Sequence, residues 1–283
     1  MSLLSINWAA FGSTSLFVLL WSSGAIFSKW GLDYASPFAF LLLRFALAAS
    51  VLFILGRQQR QWRPQPGTAK RVALAGTLLI GSYSICYFLA LDQGITPGVL
   101  ATVLGAQPVL TLALLERGFQ PLRLLGLLLA IAGLVLVMWK SITEAHFSLA
   151  GMLFALGALL SMTAGAILQK GIRQSPLQVL PLQYGLNLVI CLLTSPLQPL
   201  TVQWTWGFVL SWIWLALVIS VVAQLLLYRM IQHGNLVNVT SLFYLVPVVT
   251  ALMDFVFLGN LLPWNTLAGM VAILLGVMLV YRV

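Results

Sequence analysis

The chain carries one short motif twice: Gly24-Ala25-Ile26-Phe27-Ser28-Lys29 ends the first apolar run, and Gly165-Ala166-Ile167-Leu168-Gln169-Lys170 ends the sixth. Further matches follow in the same order along the chain. They are Pro37 with Pro176, Arg44-Phe45 with Gln183-Tyr184, Tyr83 and Tyr87 with Gln224 and Tyr228, Pro108-Val109-Leu110-Thr111 with Pro247-Val248-Val249-Thr250, and Gly126 and Gly133 with Gly269 and Gly276. The separation stays within 139–143 residues, which indicates two copies of one unit, residues 1–145 and 146–283.

The composition places both copies in a membrane. Of the 283 residues, 61% are hydrophobic and only 7% are charged, and the mean hydropathy is +1.04. A soluble domain has about 25% charged residues, and a disordered chain combines low hydrophobicity with high charge, so both classes are excluded. A spanning helix needs about 20 apolar residues, and the apolar runs predict ten such helices. Their approximate bounds are 8–29, 36–56, 71–91, 98–115, 121–139, 149–170, 176–196, 207–232, 236–258 and 263–281.

The basic residues predict the orientation of these helices. Of the 14 Lys and Arg residues, eleven fall on the side that holds both termini, Lys29 and Lys140 fall on the other side, and Arg44 lies inside the second span. Loops rich in Lys and Arg stay in the cytoplasm, so we expect both termini there. The net charge of +9 belongs to these loops, and no binding of nucleic acid is expected.

Each copy contains five predicted spans, and an odd number forces the second copy to enter the membrane from the opposite side. We therefore predict an all-α membrane protein with ten transmembrane helices arranged as two inverted five-helix repeats. Such repeats are typical of secondary transporters, whose halves exchange conformations to expose one site to either face. Two copies retained only as a scaffold are the alternative.

The set of repeated residues resembles the EamA branch of the drug/metabolite transporter superfamily. The residues that carry the resemblance are Gly24-Ala25, Arg44-Phe45, Tyr87-x-x-Ala90-Leu91, Pro108-x-x-Thr111, Glu116-Arg117 and the counterparts in the second half. Within the branch, the chain looks most like the YddG-type bacterial amino-acid exporters. This resemblance implies export of amino acids, some of them aromatic, across the bacterial inner membrane. One departure is Asn260, where the family often has Glu after the ninth span.

Neutral polar and aromatic residues near mid-depth are the candidate substrate-binding groups. They could form an uncharged, hydrogen-bonding cavity with aromatic walls, suited to a small zwitterion that has an apolar side chain, since aromatic faces attract an ammonium group. The alternative for each Ser, Thr or Asn is a bond between helices, and for each Tyr simple packing. The candidates are Trp21, Ser22, Tyr83, Tyr87, Gln107, Thr163, Asn187, Gln224, Tyr228 and Tyr244.

Prolines and glycines at matching places of the two halves are the candidate hinges. Pro108 and Pro247 each remove one backbone hydrogen bond within a span, and paired interruptions of this kind indicate the central site of a transporter. Gly24 and Gly165 complete the set. A static kink that neighbouring helices satisfy is the alternative.

Ionisable groups within the spans are few, and this bears on coupling. No carboxylate is central, so we expect facilitated diffusion, although Asp254 in the outer part of the ninth span keeps proton antiport open. Arg44 is a functional candidate by position, with helix pinning as its alternative. The only histidines, His146 and His233, lie far apart, and motifs of enzymes and ATPases are absent. We expect no cofactor, no metal and no required protein partner, hence a monomer.

Two further hypotheses stay open. The cargo could instead be a drug moved by proton coupling or a nucleotide sugar, although a nucleotide sugar would need buried basic residues and only Arg44 qualifies. The chain could also be a membrane enzyme or a structural subunit with no transport of its own. The missing catalytic motifs oppose the first of these, and the repeat opposes the second.

Overall fold

The computed structural model describes residues 8–115, 120–143, 148–258 and 263–282, and it is helical through nearly all of them. The main helices are α1 (Trp8–Leu32), α2 (Pro37–Gln58), α3 (Ala69–Asp92), α4 (Pro97–Leu115), α5 (Pro121–Val137), α6 (Leu149–Lys170), α7 (Pro176–Thr194), α8 (Trp206–His233), α9 (Leu236–Ser241, Leu242–Tyr244 and Leu245–Leu258) and α10 (Trp264–Tyr281). A short helix, Trp139–Thr143, follows α5. Four helices begin at a proline, whose fixed φ angle suits the first helical position and whose missing N–H would be unpaired there anyway.

Eight of these helices are long and apolar enough to cross a membrane. Pro121–Val137, which is α5, and Leu236–Val249 within α9 are shorter apolar helices. Large apolar side chains cover the outside of the bundle, for example Leu160 at 62% and Leu193 at 75% exposure. Such a surface is stable when lipid covers it, so the fold is that of a multi-pass helical membrane protein. The predicted runs match the observed helices within a few residues at the ends that the structure describes.

The predicted interruptions of the fourth and ninth spans are present, but each begins before its proline. Helix α4 consists of Pro97–Leu104 and Gln107–Leu115, and Ala106 N–H donates to the carbonyl only three residues earlier, at 3.1 Å. Helix α9 narrows to a 3₁₀ turn at Leu242–Tyr244. The physical reason is that a proline ring displaces the carbonyl four residues before it, which lies in the preceding turn.

Two π-helical segments, which were not predicted from the sequence, also occupy matching places in the two copies. They are Thr77–Ser82 in α3 and Trp214–Ala223 in α8. A π turn adds a residue to the helical repeat, so the side chains after it rotate to another face. Tyr83 and Gln224 are the residues that immediately follow these segments.

Corresponding helices of the two copies pack against each other in antiparallel fashion. In α2 and α7, the thiol of Cys191 approaches the Phe38 carbonyl, and Phe45 packs edge-on against Tyr184 at 5.9 Å between ring centroids. The contact positions therefore rise along one helix as they fall along the other.

Helices α5 and α10 cross in the same antiparallel sense through their repeated glycines. A Cβ added at Gly126 would lie 2.7 Å from the Gly276 carbonyl oxygen, and one added at Gly133 would lie 2.6 Å from that of Gly269. Only hydrogen at these positions permits so close a backbone approach. The repeated glycines are thus explained by packing between the two helices.

Candidate functional site

A cavity of about 110 Å³ lies at the centre of the bundle, between helices of both sequence copies. Because one water molecule needs roughly 10–15 Å³ in the same measure, the cavity has room for several waters or a small organic molecule. Its walls come from α1–α4 and α6–α9. Helices α5 and α10 contribute nothing to it and pack against each other at the side.

The cavity approaches one end of the bundle and stops short of the other. Its lining reaches Ser28 near the end of α1 and Pro97 at the start of α4; we call this the open end. In the other direction the lining stops at Leu227 and Phe243, and beyond them the next void is only about 10 Å³. We call this the closed end.

Five of the ten predicted substrate-binding residues line the cavity. They are Trp21, Tyr83, Tyr87, Gln107 and Gln224. The tyrosines share one face of α3, as their spacing predicts, with ring centroids 5.7 Å apart. Gln107 is 1% exposed, and its amide Nε2 has no hydrogen-bond partner among the described residues. It therefore presents a free donor at the deep end of the cavity.

Ser22 and Thr163 lie outside the lining. Each hydroxyl donates to the backbone carbonyl four residues earlier in its own helix, at 2.6 and 2.7 Å. Ser22 also reaches the Val246 carbonyl of α9 at 3.3 Å. The structure therefore places these two side chains in helix packing, the alternative that the sequence left open for them.

Asn187, Tyr228 and Tyr244 are also outside the lining, and each is buried in a bond between helices. The Asn187 amide donates to a carbonyl of α3 at 2.9 Å, and the Tyr228 hydroxyl donates to Gln183 Oε1 at 2.8 Å. The Tyr244 hydroxyl donates at 2.6 Å to the Gly105 carbonyl, which lies at the interruption of α4. This last bond joins the two interrupted helices.

The candidate hinges divide in the same way. Gly24 and Pro247 line the cavity, and Pro108 and Gly165 do not. A Cβ added at Gly165 would lie 2.5 Å from a backbone nitrogen of α3 at Leu79, so this glycine allows α3 and α6 to touch.

Arg44 is the only charged residue among the described residues of the lining. Its Nε donates to the Ser220 hydroxyl of α8 at 2.8 Å, and Tyr184, Tyr83 and Tyr87 interact with it electrostatically. Among the described residues no carboxylate faces it. Intramembrane ionisable residues are functional candidates by default, but Arg44 was not among the predicted substrate-binding residues.

Aromatic rings form the rest of the wall. Trp21 packs edge-on against Phe243 at 5.4 Å between centroids. Tyr184, which was not among the predicted residues, lines the cavity together with Arg44. The repeat could have indicated it, because Gln183-Tyr184 is the repeat counterpart of Arg44-Phe45. The other polar wall residues that were not predicted are Ser28 on α1 and Ser84 on α3.

The closed end is held by polar contacts to backbone carbonyls. Lys170 Nζ, at the end of α6, donates to the carbonyls of Gln232 in the last turn of α8 and of Gly234 just after it, at 3.1 and 2.5 Å. Further in, Gln183 Nε2 bridges a carbonyl of α3 at 3.0 Å and the Gln169 side chain at 3.1 Å. These bonds join α3, α6, α7 and α8 below the cavity.

A search of the described residues for three or more His, Cys, Asp or Glu side chains close together finds no group that could hold a metal ion. The candidate Asp254 lies outside the side chains that the structure describes, as do Glu116, Glu144, His146 and Asn260. The described residues at the cavity offer one cation, several hydroxyl and amide groups, and aromatic faces, which are groups that can bind a small polar solute.

Several known proteins are similar to this chain in sequence, and two of them have names that state a role in transport. A family model described as the EamA-like transporter family matches residues 9–139 and again residues 149–282. The chain is 26% identical over 285 residues to a Salmonella typhimurium protein named "Probable amino-acid metabolite efflux pump", covering 92% of this chain and 91% of that protein. It is 24% identical over 275 residues to the uncharacterized transporter YvbV of Bacillus subtilis, covering 93% and 88%. It is 27% identical over 270 residues to the protein PecM of Dickeya dadantii, covering 89% and 88%.

The fold has a counterpart among solved structures. One crystal structure superimposes on this chain with a TM-score of 0.76 over 96% of each chain, at 19% sequence identity. At this identity the match concerns the helical architecture alone.

Proposed function

The chain belongs to the EamA-like transporter family and is a multi-pass membrane protein, and on this premise we propose that it exports amino acids, neutral and aromatic ones above all, and related small metabolites across the bacterial inner membrane. The observation that carries the proposal is the central cavity, which combines aromatic walls, neutral hydrogen-bonding groups and a single cation. These are the groups that bind a zwitterion with an apolar side chain. The name of the Salmonella relative points to the same class of cargo.

The transport mechanism that we propose is alternating access by two inverted five-helix repeats, residues 1–145 and 146–283. It is supported by the two separate family matches and by the antiparallel packing of α2 with α7 and of α5 with α10. Bending at the interruptions of α4 and α9, near Pro108 and Pro247, would close the open end while the closed end separates.

The orientation that we propose has both termini in the cytoplasm, because most Lys and Arg residues lie on that side. The open end of the cavity then faces the periplasm, and Lys170 lies at the cytoplasmic end. In this orientation the structure corresponds to an outward-open state.

The proposed driving force is the gradient of the solute itself. None of the described residues that line the cavity is a carboxylate, and a proton-coupled transporter needs a group that takes up and releases protons within the pathway. Facilitated diffusion follows from this, with export as its direction when the cell holds the higher concentration.

The test is transport by the purified chain in sealed liposomes. We expect radiolabelled phenylalanine to equilibrate faster than in protein-free liposomes, and we expect an imposed pH gradient to cause no accumulation above equilibrium. Accumulation driven by protons would contradict the uniport mechanism. Transport of nucleotide sugars or of cationic drugs, but of no amino acid, would replace the proposed cargo. No transport of any solute would favour a subunit role.

A further inference from the structure

We propose that Arg44, oriented by Ser220, binds the carboxylate group of the transported solute. This inference rests on the proposed function and adds the recognition element of the substrate: a carboxylate. It assigns a specific role to a side chain for which the sequence left both an unspecified function and helix pinning open.

The charge of Arg44 favours binding of an anion. Arg44 is half-buried in the middle of the bundle, and within the part of the chain that the structure describes it is the only charged group that lines the cavity. A cation at this depth is stable only where water, an acceptor or an anion surrounds it. Among the described side chains no Asp or Glu does so. The cavity, of about 110 Å³, supplies the space for a solute anion.

The geometry of Arg44 suits a carboxylate. The Arg44 Nε–H is already engaged by the Ser220 hydroxyl at 2.8 Å, which fixes the plane of the guanidinium group. The two terminal nitrogens, each with two N–H groups, have no protein acceptor among the described residues and belong to a cavity-lining side chain. Two parallel N–H donors are the arrangement that binds both oxygens of a carboxylate.

Three tyrosines belong to the environment of the bound solute. Tyr83, Tyr87 and Tyr184 line the same cavity as Arg44 and interact with it electrostatically, and their hydroxyl groups can donate to the same carboxylate. Aromatic faces of Trp21 and the tyrosines are available for an ammonium group, an attraction of about 0.5–2 kcal/mol in general. A neutral amino acid satisfies both ends of this site, whereas an amine without a carboxylate would place its positive charge near Arg44 and be repelled.

A purely structural Arg44 predicts different results from a binding Arg44. If the side chain only joins α2 to α8, its replacement lowers the affinity for every ligand to the same degree through loss of fold. If it binds the carboxylate, its replacement lowers the affinity for ligands that have a carboxylate and leaves the affinity for their amides unchanged. The ratio of the two affinities is therefore the decisive quantity.

The experiment measures binding to the full chain in detergent by isothermal titration, with four probes of similar shape: phenylalanine, phenylalaninamide, 3-phenylpropionate and 2-phenylethylamine. For the natural chain we expect the two carboxylates to bind about tenfold or more tightly than the amide and the amine, as for a hydrogen bond to a charged group. In Arg44→Gln we expect the affinity for phenylalanine to fall to the affinity for phenylalaninamide. The matched control is Arg57→Gln, an exposed arginine at the end of the same helix, which should change nothing.

Two further variants keep the test decisive should Arg44→Gln fold poorly. Arg44→Lys retains the charge without the forked donor and should keep part of the preference for phenylalanine over its amide. Ser220→Ala should lower the affinity for phenylalanine a few-fold and leave the affinity for phenylalaninamide unchanged. The role of Arg44 would be overturned if Arg44→Gln lowered the affinities for phenylalanine and its amide equally. It would also be overturned if the natural chain did not prefer phenylalanine to the amide, or if it bound none of the probes. Binding of phenylalanine with this preference, but without transport in liposomes, would instead overturn the proposed function.

Discussion

Lys170 gives the sharpest prediction about how the two ends of the cavity open and close. Its ammonium group donates to the carbonyls of Gln232 and Gly234, which ties α6 to α8 at the closed end. The corresponding residue of the first copy, Lys29, is exposed and makes no side-chain hydrogen bond to another described residue. On the proposed inverted repeat, Lys29 would make the equivalent bonds to the end of α3 in the opposite state.

The perturbation is Lys170→Met, which keeps the length and the apolar stem of the side chain and removes its donors. Two bonds from a partly exposed ammonium group to carbonyls contribute about 1 kcal/mol, since solvent screens a group of this exposure. Loss of that energy favours the inward-open state by roughly fivefold. Lys29→Met should shift the population in the opposite direction, towards the state seen here.

The assay is the rate at which a membrane-impermeant maleimide labels Thr240→Cys, a position that is 1% exposed beside the small void at the closed end. The background carries Cys86→Ala and Cys191→Ala, because these are the native cysteines. Lys170→Met should raise the labelling rate roughly fivefold, as the population shift requires. Lys29→Met should lower it.

The control is Lys70→Met, an exposed lysine at the start of α3 on the same side of the bundle as Lys170, which should leave the labelling rate unchanged. The reasoning is refuted if Lys170→Met leaves the rate as it is. It is also refuted if the two lysine variants, Lys170→Met and Lys29→Met, move it in the same direction.

Three other predictions concern binding and stability. Trp21→Ala and Tyr87→Ala each remove an aromatic wall of the cavity and should abolish most phenylalanine transport in liposomes while size-exclusion profiles stay unchanged; full transport by both variants would remove these residues from the site. Gly133→Leu forces a side chain against a backbone carbonyl of α10. It should lower the melting temperature in detergent, through a loss of about 1–3 kcal/mol in the free energy of unfolding. The control is Gly185→Ala, which should not lower the melting temperature, because a Cβ added there meets nothing within 4 Å. Tyr244→Phe leaves the carbonyl at the α4 interruption without its buried donor and should cost about 1–2 kcal/mol of stability in the same melting experiment; an unchanged melting temperature would mean that this carbonyl finds another donor.

Helix positions and the cavity walls were predictable from the sequence to different degrees. Apolar runs gave the helices because the requirement for about 20 apolar residues per span is local. The predicted pair on α3 lines the cavity, because a spacing of four residues places Tyr83 and Tyr87 on one helix face regardless of what surrounds it. The π turns of α3 and α8 were not predictable, since no residue type marks the extra residue that rotates the following side chains.

The polar residues also differ in how far the sequence could predict their roles. Ser22 and Thr163 looked like site residues because of their depth, but a hydroxyl in an apolar helix can be satisfied by its own preceding turn. The sequence cannot tell which of the two acceptors, backbone or solute, lies within reach. Arg44 was the reverse case, since its depth suggested a function but only the absence of a facing carboxylate among the described side chains made binding the better explanation.

The sequence by itself determined that this is a multi-pass membrane protein of the EamA-like family, and it determined which residues of the two copies correspond. The tertiary structure decided how those corresponding residues differ. Tyr87 lines the cavity while its counterpart Tyr228 is sealed against Gln183, and Lys170 bonds to carbonyls while Lys29 is exposed. The physical reason is that side-chain pattern follows from local spacing and is the same in both copies, whereas a cavity that opens at one end gives equivalent residues different neighbours. Which copy faces the solute is therefore a property of the packed conformation.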